Sequence, residues 1–326
     1  MKRPILFRTL WLLTLSVAMF SCEVEDEDDE YGPMDGQNVT NGGTRYQNTI
    51  FMNATATRNV AFGSAEKAAG GTEQLQMTIF EGDGDTGTNR PVVILAPGGG
   101  FSSLGFEDME AYAQLLARAG FVAGVMNYRL NESNDRGEAR MMQAVVQAVQ
   151  DMKAAVRYFR KDAAEGNQYK VNPDKIFVGG YSAGAVTALH MAFVEGTSEA
   201  GATLASIIEA NGGWEGNSGN AGYSSAVAGV INMAGGVLDP NYIDAGEPAL
   251  YSVHGTSDQV VAYNSGPADG TAVVLYGSQP IHDQAKTVGI TSELLALTGG
   301  DHGAPVDISC GSCNVRLLGF LYNQVQ

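Results

Sequence analysis

Ser182 lies in the run "KIFVGGYSAGAVTALH", between an apolar stretch of strand length and a stretch of helical period. In "GYSAG" (Gly180 to Gly184) the flanking glycines let neighbouring backbone pass close, and a serine on such a strand-to-helix turn is presented as a nucleophile. The alternative reading is a helix-capping serine. A hydroxyl attacks poorly at neutral pH, so it needs a base and a group that orients the base. Only four histidines are available. His190 falls inside the helix after the turn and cannot return to Ser182. His254 ends the strand "LYSVHG" and supports the loop that follows. His282 lies on a predicted helix. His302, in "LALTGGDHG", is carried by a glycine-rich loop after the last strand and is the expected base, with His282 second. The expected acid is Asp258 in "HGTSDQVVAY", after the penultimate strand, with Asp239 and Asp244 as weaker candidates. Asp301 adjoins His302, and adjacent side chains diverge. Acyl transfer further needs oxyanion donors: the amide of Ala183, and one from Gly99, Gly100 or Phe101 in "LAPGGGFSS". A phosphate cradle at "GGG" lacks the lysine and hydroxyl of a P-loop.

The elements that must position these residues alternate. "NTIFMNATATRNVAFG" and "EQLQMTIFEG" read as a strand pair, and "DGDTGTNRP" as a polar turn without the terminal acid of a calcium loop. From Pro91, strands ("VVILA", "FVAGVMNYRL", "NPDKIFVGG", "VAGVINMAG", "PALYSVHG", "SELLALTG") alternate with helices ("EDMEAYAQLLARA", "EARMMQAVVQAVQDMKAAVRYFRKDA", residues 279–288, "NVRLLGFLYNQ"). Such alternation predicts an α/β fold with a mainly parallel central sheet and helices on both faces. Ligands then bind beyond the carboxyl ends of the strands, where Ser182, Asp258 and His302 all fall. Between about 195 and 228 the alternation lapses, and a small lid-like insertion over the site is expected there.

The chain order Ser182, Asp258, His302 resembles that of the α/β-hydrolase superfamily, in its secreted bacterial esterase and lipase branch, from about Pro91 to the C-terminus. "PGGGF" is similar to the oxyanion loop of hormone-sensitive-lipase-like enzymes and of acetylxylan and feruloyl esterases, and "NYRL" to the strand end after it. "HGTSDQVVAY" is similar to the acid loop of feruloyl esterases, dienelactone hydrolases and polyhydroxyalkanoate depolymerases. Pro97 replaces a histidine of the "HGGG" form, and the elbow lacks the aspartate that hormone-sensitive-lipase relatives carry before the serine. The resemblance implies a serine carboxylic-ester hydrolase needing neither metal nor cofactor. Its expected substrates are short acyl or aryl esters such as those on polysaccharides, with Phe101, Tyr181 and Trp214 lining the pocket. A serine peptidase or amidase on the same residues, and a non-catalytic glycan-binding lipoprotein, are the alternatives.

The 326 residues suit one large domain. A net charge of -17 argues against nucleic acid or an acidic polymer being drawn in as partner. Residues 1–21 read as a lipoprotein signal peptide, with basic Lys2, Arg3 and Arg8, an apolar core too short to span a membrane, and Ser21 before Cys22. Lipidation of Cys22 makes the membrane a partner through the lipid. The acidic "EVEDEDDE" resembles a surface-export tag, so residues 22–44 are expected to be a disordered tether, the catalytic domain to occupy 45–326, and the protein to sit on the outer membrane at the cell surface. In an exported chain Cys310 and Cys313 are expected to form a local disulfide.

Overall fold

The computed structural model describes residues 43–326 except 69, 134 and 199. The expected signal peptide, Cys22 and nearly all of the expected tether lie outside the described residues. From Gly43 the chain is held to the fold: the amides of Tyr46 and Ile50 donate to the carbonyls of Ala119 and Arg118 (both 2.8 Å).

Ten strands and six α-helices follow among the described residues. β1 (Ala54–Glu66) and β2 (Thr72–Gly82) are the expected antiparallel pair. β3 (Arg90–Ala96), α1 (Phe106–Ala119), β4 (Val122–Met126), α2 (Glu138–Glu165), β5 (Val171–Tyr181) and α3 (Ala183–Phe193) then alternate. After α4 (Ala202–Ala210) come β6 (Gly229–Met233), β7 (Ala249–Gly255), a small hairpin of β8 (Ser265–Pro267) and β9 (Val274–Tyr276), α5 (Ser278–Val288), β10 (Ser292–Leu297) and α6 (Gly311–Val325). The eight-stranded sheet has the order β1-β2-β4-β3-β5-β6-β7-β10. It is antiparallel from β1 to β4 and parallel from there on.

Helices cover both faces, which is why every residue of β3, β4 and β6 is buried and these strands read as continuous apolar runs. Alternate residues of one strand serve the two cores. Val92 and Ile94 of β3 pack with α2 and α3, whereas Val93 and Leu95 pack with α1 and α6. The left-handed αL conformation needed to stop α1 falls to Gly120, at φ 103°.

The expected lid does not overhang the strand ends. Within 195–228, α4 packs Leu204 and Ile208 on Val146 of α2. The loop after it is pinned down the flank of α2: Gln150 donates to the carbonyls of Asn211 and Gly213, Arg157 to those of Glu215 and Gly219, and Arg160 to that of Ser224. This clasp explains why Gln147, Gln150, Asp151, Lys153 and Arg157 of α2 are all buried.

Candidate active site

β5 delivers Ser182 and α3 begins at the next residue, so the serine takes φ 52° and ψ -118°, a strained backbone for a residue with a Cβ. The strain is held by neighbours that only glycine permits. A Cβ at Gly180 or at Gly184 would collide with the carbonyl oxygen of Ala96 at the end of β3. The amide of Ser182 donates to Met233 O (2.9 Å), which ties the turn to the end of β6.

His302 reaches Ser182 from the loop after β10, with Nε2 2.9 Å from Ser182 Oγ. Its Nδ1 lies 2.7 Å from Asp258 Oδ2, so the ring donates to the carboxylate and accepts from the serine. The two loops are joined by bonds from the amides of Thr256 and Ser257 to the carbonyls of Leu297 and Gly300. A Cβ at Gly255 would strike the carbonyls of Gly300 and Asp301, so this approach depends on glycine.

Asp258 is buried, and its second oxygen accepts from the amides of Val260 (2.8 Å) and Val261 (3.0 Å). Oδ2 is shared with a second histidine, His254, whose Nε2 lies 3.1 Å from it and 2.9 Å from Val261 O. Two acceptors on one nitrogen require Nε2 to carry the proton. Nδ1 then accepts from Ser278 Oγ (2.7 Å), whose oxygen in turn accepts from Asn232 Nδ2 (3.0 Å). Burial pushes the Asp258 carboxyl up, but the bonds from His254, His302 and the Val260 amide outweigh it and hold the group far below the ordinary carboxylate range. The sequence assigned His254 only a supporting place in this loop; its contact with Asp258 depends on the tertiary turn.

Ala183 is the first residue of α3, so its amide has no acceptor within the helix. In the segment after β3, Gly99, Gly100 and Phe101 all have positive φ (133°, 58° and 60°). Among the described residues no protein acceptor is recorded for these amides or for that of Ala183, so they are free to donate to a ligand.

The remaining candidates are accounted for elsewhere. His190 is buried in α3, with Nδ1 on Val186 O and Nε2 accepting from the Leu238 amide, and burial lowers its pKa to about 4. His282 on α5 bonds Ser292. Asp301 accepts from the amides of Gly303 and Ala304, Asp239 caps a short 3₁₀ turn through the Asn241 amide, and the Asp244 amide bonds Glu247. Among the described residues no three His, Cys, Asp or Glu side chains gather as a metal site.

One pocket expectation needs correction. Trp214 lines a cleft with Ala228, Ala249 and Thr291, at the amino-terminal ends of the strands and therefore on the opposite side of the sheet from Ser182. Its loop follows α2 downward, which takes the indole away from the site. Tyr181 lies against the base loop, its ring 5.0 Å from that of His302 and its hydroxyl donating to His302 O (3.2 Å). Phe101 is buried against Tyr128 (ring centroids 6.1 Å apart). Cys310 and Cys313 form a disulfide at the start of α6.

Residues 77–237 match the BD-FAE family model. No curated protein matches. Among solved structures, esterase 2 of Thermogutta terrifontis, phosphoramylated by tabun, superposes with a TM-score of 0.60 at 20% identity, covering 83% of this chain and 94% of its own. The same esterase with propionate bound gives 0.57 at 20% identity, covering 83% and 94%. A truncated carbohydrate esterase from gut microbiota gives 0.58 at 19% identity, covering 83% and 96%. The family match spans residues 99–101 and the turn at Ser182. The chain thus has the fold of these esterases, a mainly parallel sheet with helices on both faces, and residues 77–237 are similar to the BD-FAE family.

Proposed function

We propose that Ser182, His302 and Asp258 form a catalytic triad that hydrolyses short acyl or aryl carboxylic esters through an acyl-enzyme, with esters that decorate polysaccharides as the natural class. The observation that carries this reading is the continuous path from Asp258 through both nitrogens of His302 to Ser182 Oγ, ending beside unused backbone amides. Ser182 Oγ attacks the ester carbonyl as His302 Nε2 takes its proton, and Asp258 stabilises the imidazolium. The amides of Ala183 and of the 99–101 segment receive the oxyanion. The tetrahedral adduct collapses by breaking the bond to the alcohol oxygen, which leaves with the proton from His302. Water then attacks the acyl-enzyme by the same route and frees Ser182. The propionate-bound esterase and the gut carbohydrate esterase among the structural relatives support the substrate class.

The test is nitrophenol release from p-nitrophenyl acetate, butyrate and octanoate, beside the Ser182→Ala variant and a p-nitroanilide of matched acyl group. Ester turnover that falls at least about 10⁴-fold in the variant is expected. Turnover of the anilide alone would transfer the assignment to an amidase. In the same reading the enzyme is exported and anchored through a lipid on Cys22. Cys22→Ser is expected to shift it from the membrane to the soluble fraction.

A further inference from the structure

Arg136 is the starting point, because it is the arginine that the fold leaves unused. Among the described residues the other arginines each have a partner: Arg45, Arg58, Arg90 and Arg129 bond carboxylates, Arg118, Arg157 and Arg160 bond backbone carbonyls, and Arg140 bonds Asn131 and Gln143. Arg316 is also partnered. Arg136 is exposed and has no hydrogen bond or ion pair among the described residues. In a chain with 36 acidic and 19 basic residues, a guanidinium with no carboxylate within salt-bridge reach is an available charge.

Its place is set by the site. A Cβ built at Gly100, in the oxyanion segment, would lie 3.4 Å from Arg136 Nη2, and one at Gly270, in the turn between β8 and β9, would lie 3.6 Å from its Cζ. The guanidinium therefore lies between the 99–101 segment and the β8–β9 turn. That turn is coupled to the acid loop, since the Asp269 amide donates to Val260 O while the Val260 amide donates to Asp258. The 99–101 segment is coupled through Asn131, a buried residue whose amide donates to Phe101 O (2.7 Å). Asn131 Nδ2 donates to Asp135 O (2.9 Å), which fixes the residue just before Arg136, and its Oδ1 accepts from Arg140 Nε (2.9 Å).

We infer that Arg136 is a specificity residue that recognises a single carboxylate carried by the substrate beside its scissile ester. This deepens the ester-hydrolase reading and rests on it. Arginine suits the role because its planar fork meets a carboxylate through two parallel bonds. The net charge of -17 repels a polyanion approaching from a distance, but charges more than about 8 Å apart are largely screened at physiological salt, so at close range the local guanidinium decides. The carboxylate has two sources, a uronic-acid sugar on the alcohol side or a dicarboxylic acyl group.

The experiment compares kcat/KM on matched pairs. Mono-4-nitrophenyl adipate against its methyl ester reads the acyl side. O-acetylated methyl glucuronoside against the corresponding glucoside reads the alcohol side. The anionic-to-neutral ratio in one pair is expected to fall about fivefold in Arg136→Gln and further in Arg136→Glu, and to recover partly in Arg136→Lys, as for one exposed charge contact. Raising salt should lower the wild-type ratio and leave that of Arg136→Gln unmoved. A ratio unchanged by Arg136→Gln in both pairs overturns the inference while neutral-ester turnover upholds the hydrolase. Should no ester turn over, titration of methyl glucuronoside and free adipate onto the wild type and Arg136→Gln decides it independently. Equal binding by the two proteins, or none by either, overturns it.

Discussion

Among the described residues, Asp151 on α2 and Asp258 after β7 are carboxylates whose side chains have no exposed surface, and they end in opposite kinds of network. Asp151 faces Arg129, accepting from its Nε and amide and from Ser218 Oγ. The rest of that guanidinium is taken up by Glu66 O, Gln147 O and Gln150 Oε1, so the network closes on itself and joins β1, α2 and the clasp. Asp258 faces His302, whose other nitrogen points onward to Ser182. That path stays open, ending at a hydroxyl and beside amides the fold does not use. Burial also acts differently on the two. It pushes the Asp151 carboxyl up despite the pull of Arg129, whereas the bonds from His254, His302 and the Val260 amide hold Asp258 down. A closed buried network holds a fold together, and one with a free end is arranged for chemistry.

The sharpest way to break this contrast is to neutralise each carboxylate. Asp258→Asn is expected to lower kcat on p-nitrophenyl acetate on the order of 10⁴-fold, with a smaller loss of stability than Asp151→Asn. Asp151→Asn strands a buried arginine and is expected to cost roughly 3–5 kcal/mol in urea unfolding, with kcat per folded molecule unchanged. If Asp258→Asn unfolds as readily as Asp151→Asn, or Asp151→Asn loses turnover per folded molecule, the two networks do not differ as described.

A donor on each side gives the next comparison. At Gly99, where φ is 133°, an alanine Cβ would meet the Ser103 carbonyl, so Gly99→Ala reorients the 99–101 segment proposed to hold the oxyanion. About a 100-fold fall in kcat with little change in KM is expected. Ser218→Ala removes a donor to Asp151 and is expected to lower stability by about 1–3 kcal/mol with kcat intact.

His254→Gln sharpens the contrast by weakening one of four donors on Asp258. A carboxyl held low in the folded state contributes stability that is present above its unfolded pKa of about 3.9 and lost as pH falls through the folded value. With less depression in the variant, less is lost, so urea midpoints at pH 5 and pH 3 should differ more in the wild type than in His254→Gln. A roughly tenfold fall in kcat should accompany this. Equal midpoint shifts would remove His254 from the account of Asp258.

The ends of the strands were legible because the motifs there are local. The glycines around Ser182 answer to the nearby Ala96 carbonyl, and His302 and Asp258 each follow a strand of clear apolar pattern. α4 was not legible, since "ATLASIIEA" is short, flanked by glycine and asparagine, and buries only Leu204 and Ile208. Trp214 was misassigned because an aromatic residue in an insertion carries no sign of which end of the sheet it will reach. Ser278, which His254 bonds, and Asn232, which donates to Ser278, lie in α5 and β6, a relation that no sequence spacing encodes.

The smallest expected effect is at the disulfide. Lying shortly after His302, the Cys310–Cys313 bridge suggests a brace for the base loop, but the fold supplies other anchors. Tyr112 donates to Pro305 O (3.2 Å), Tyr251 to Cys313 O (3.4 Å), and Cys313 is buried among α6 side chains. A bridge spanning so few residues restricts the unfolded chain little, about 2 kcal/mol at most. The double replacement Cys310→Ser, Cys313→Ser is therefore expected to lower the urea midpoint slightly and to leave kcat within about twofold, with reductant acting likewise on the wild type. A tenfold loss of kcat in the folded double variant would instead make the bridge a true support of His302, and the tyrosine contacts insufficient to hold the base by themselves.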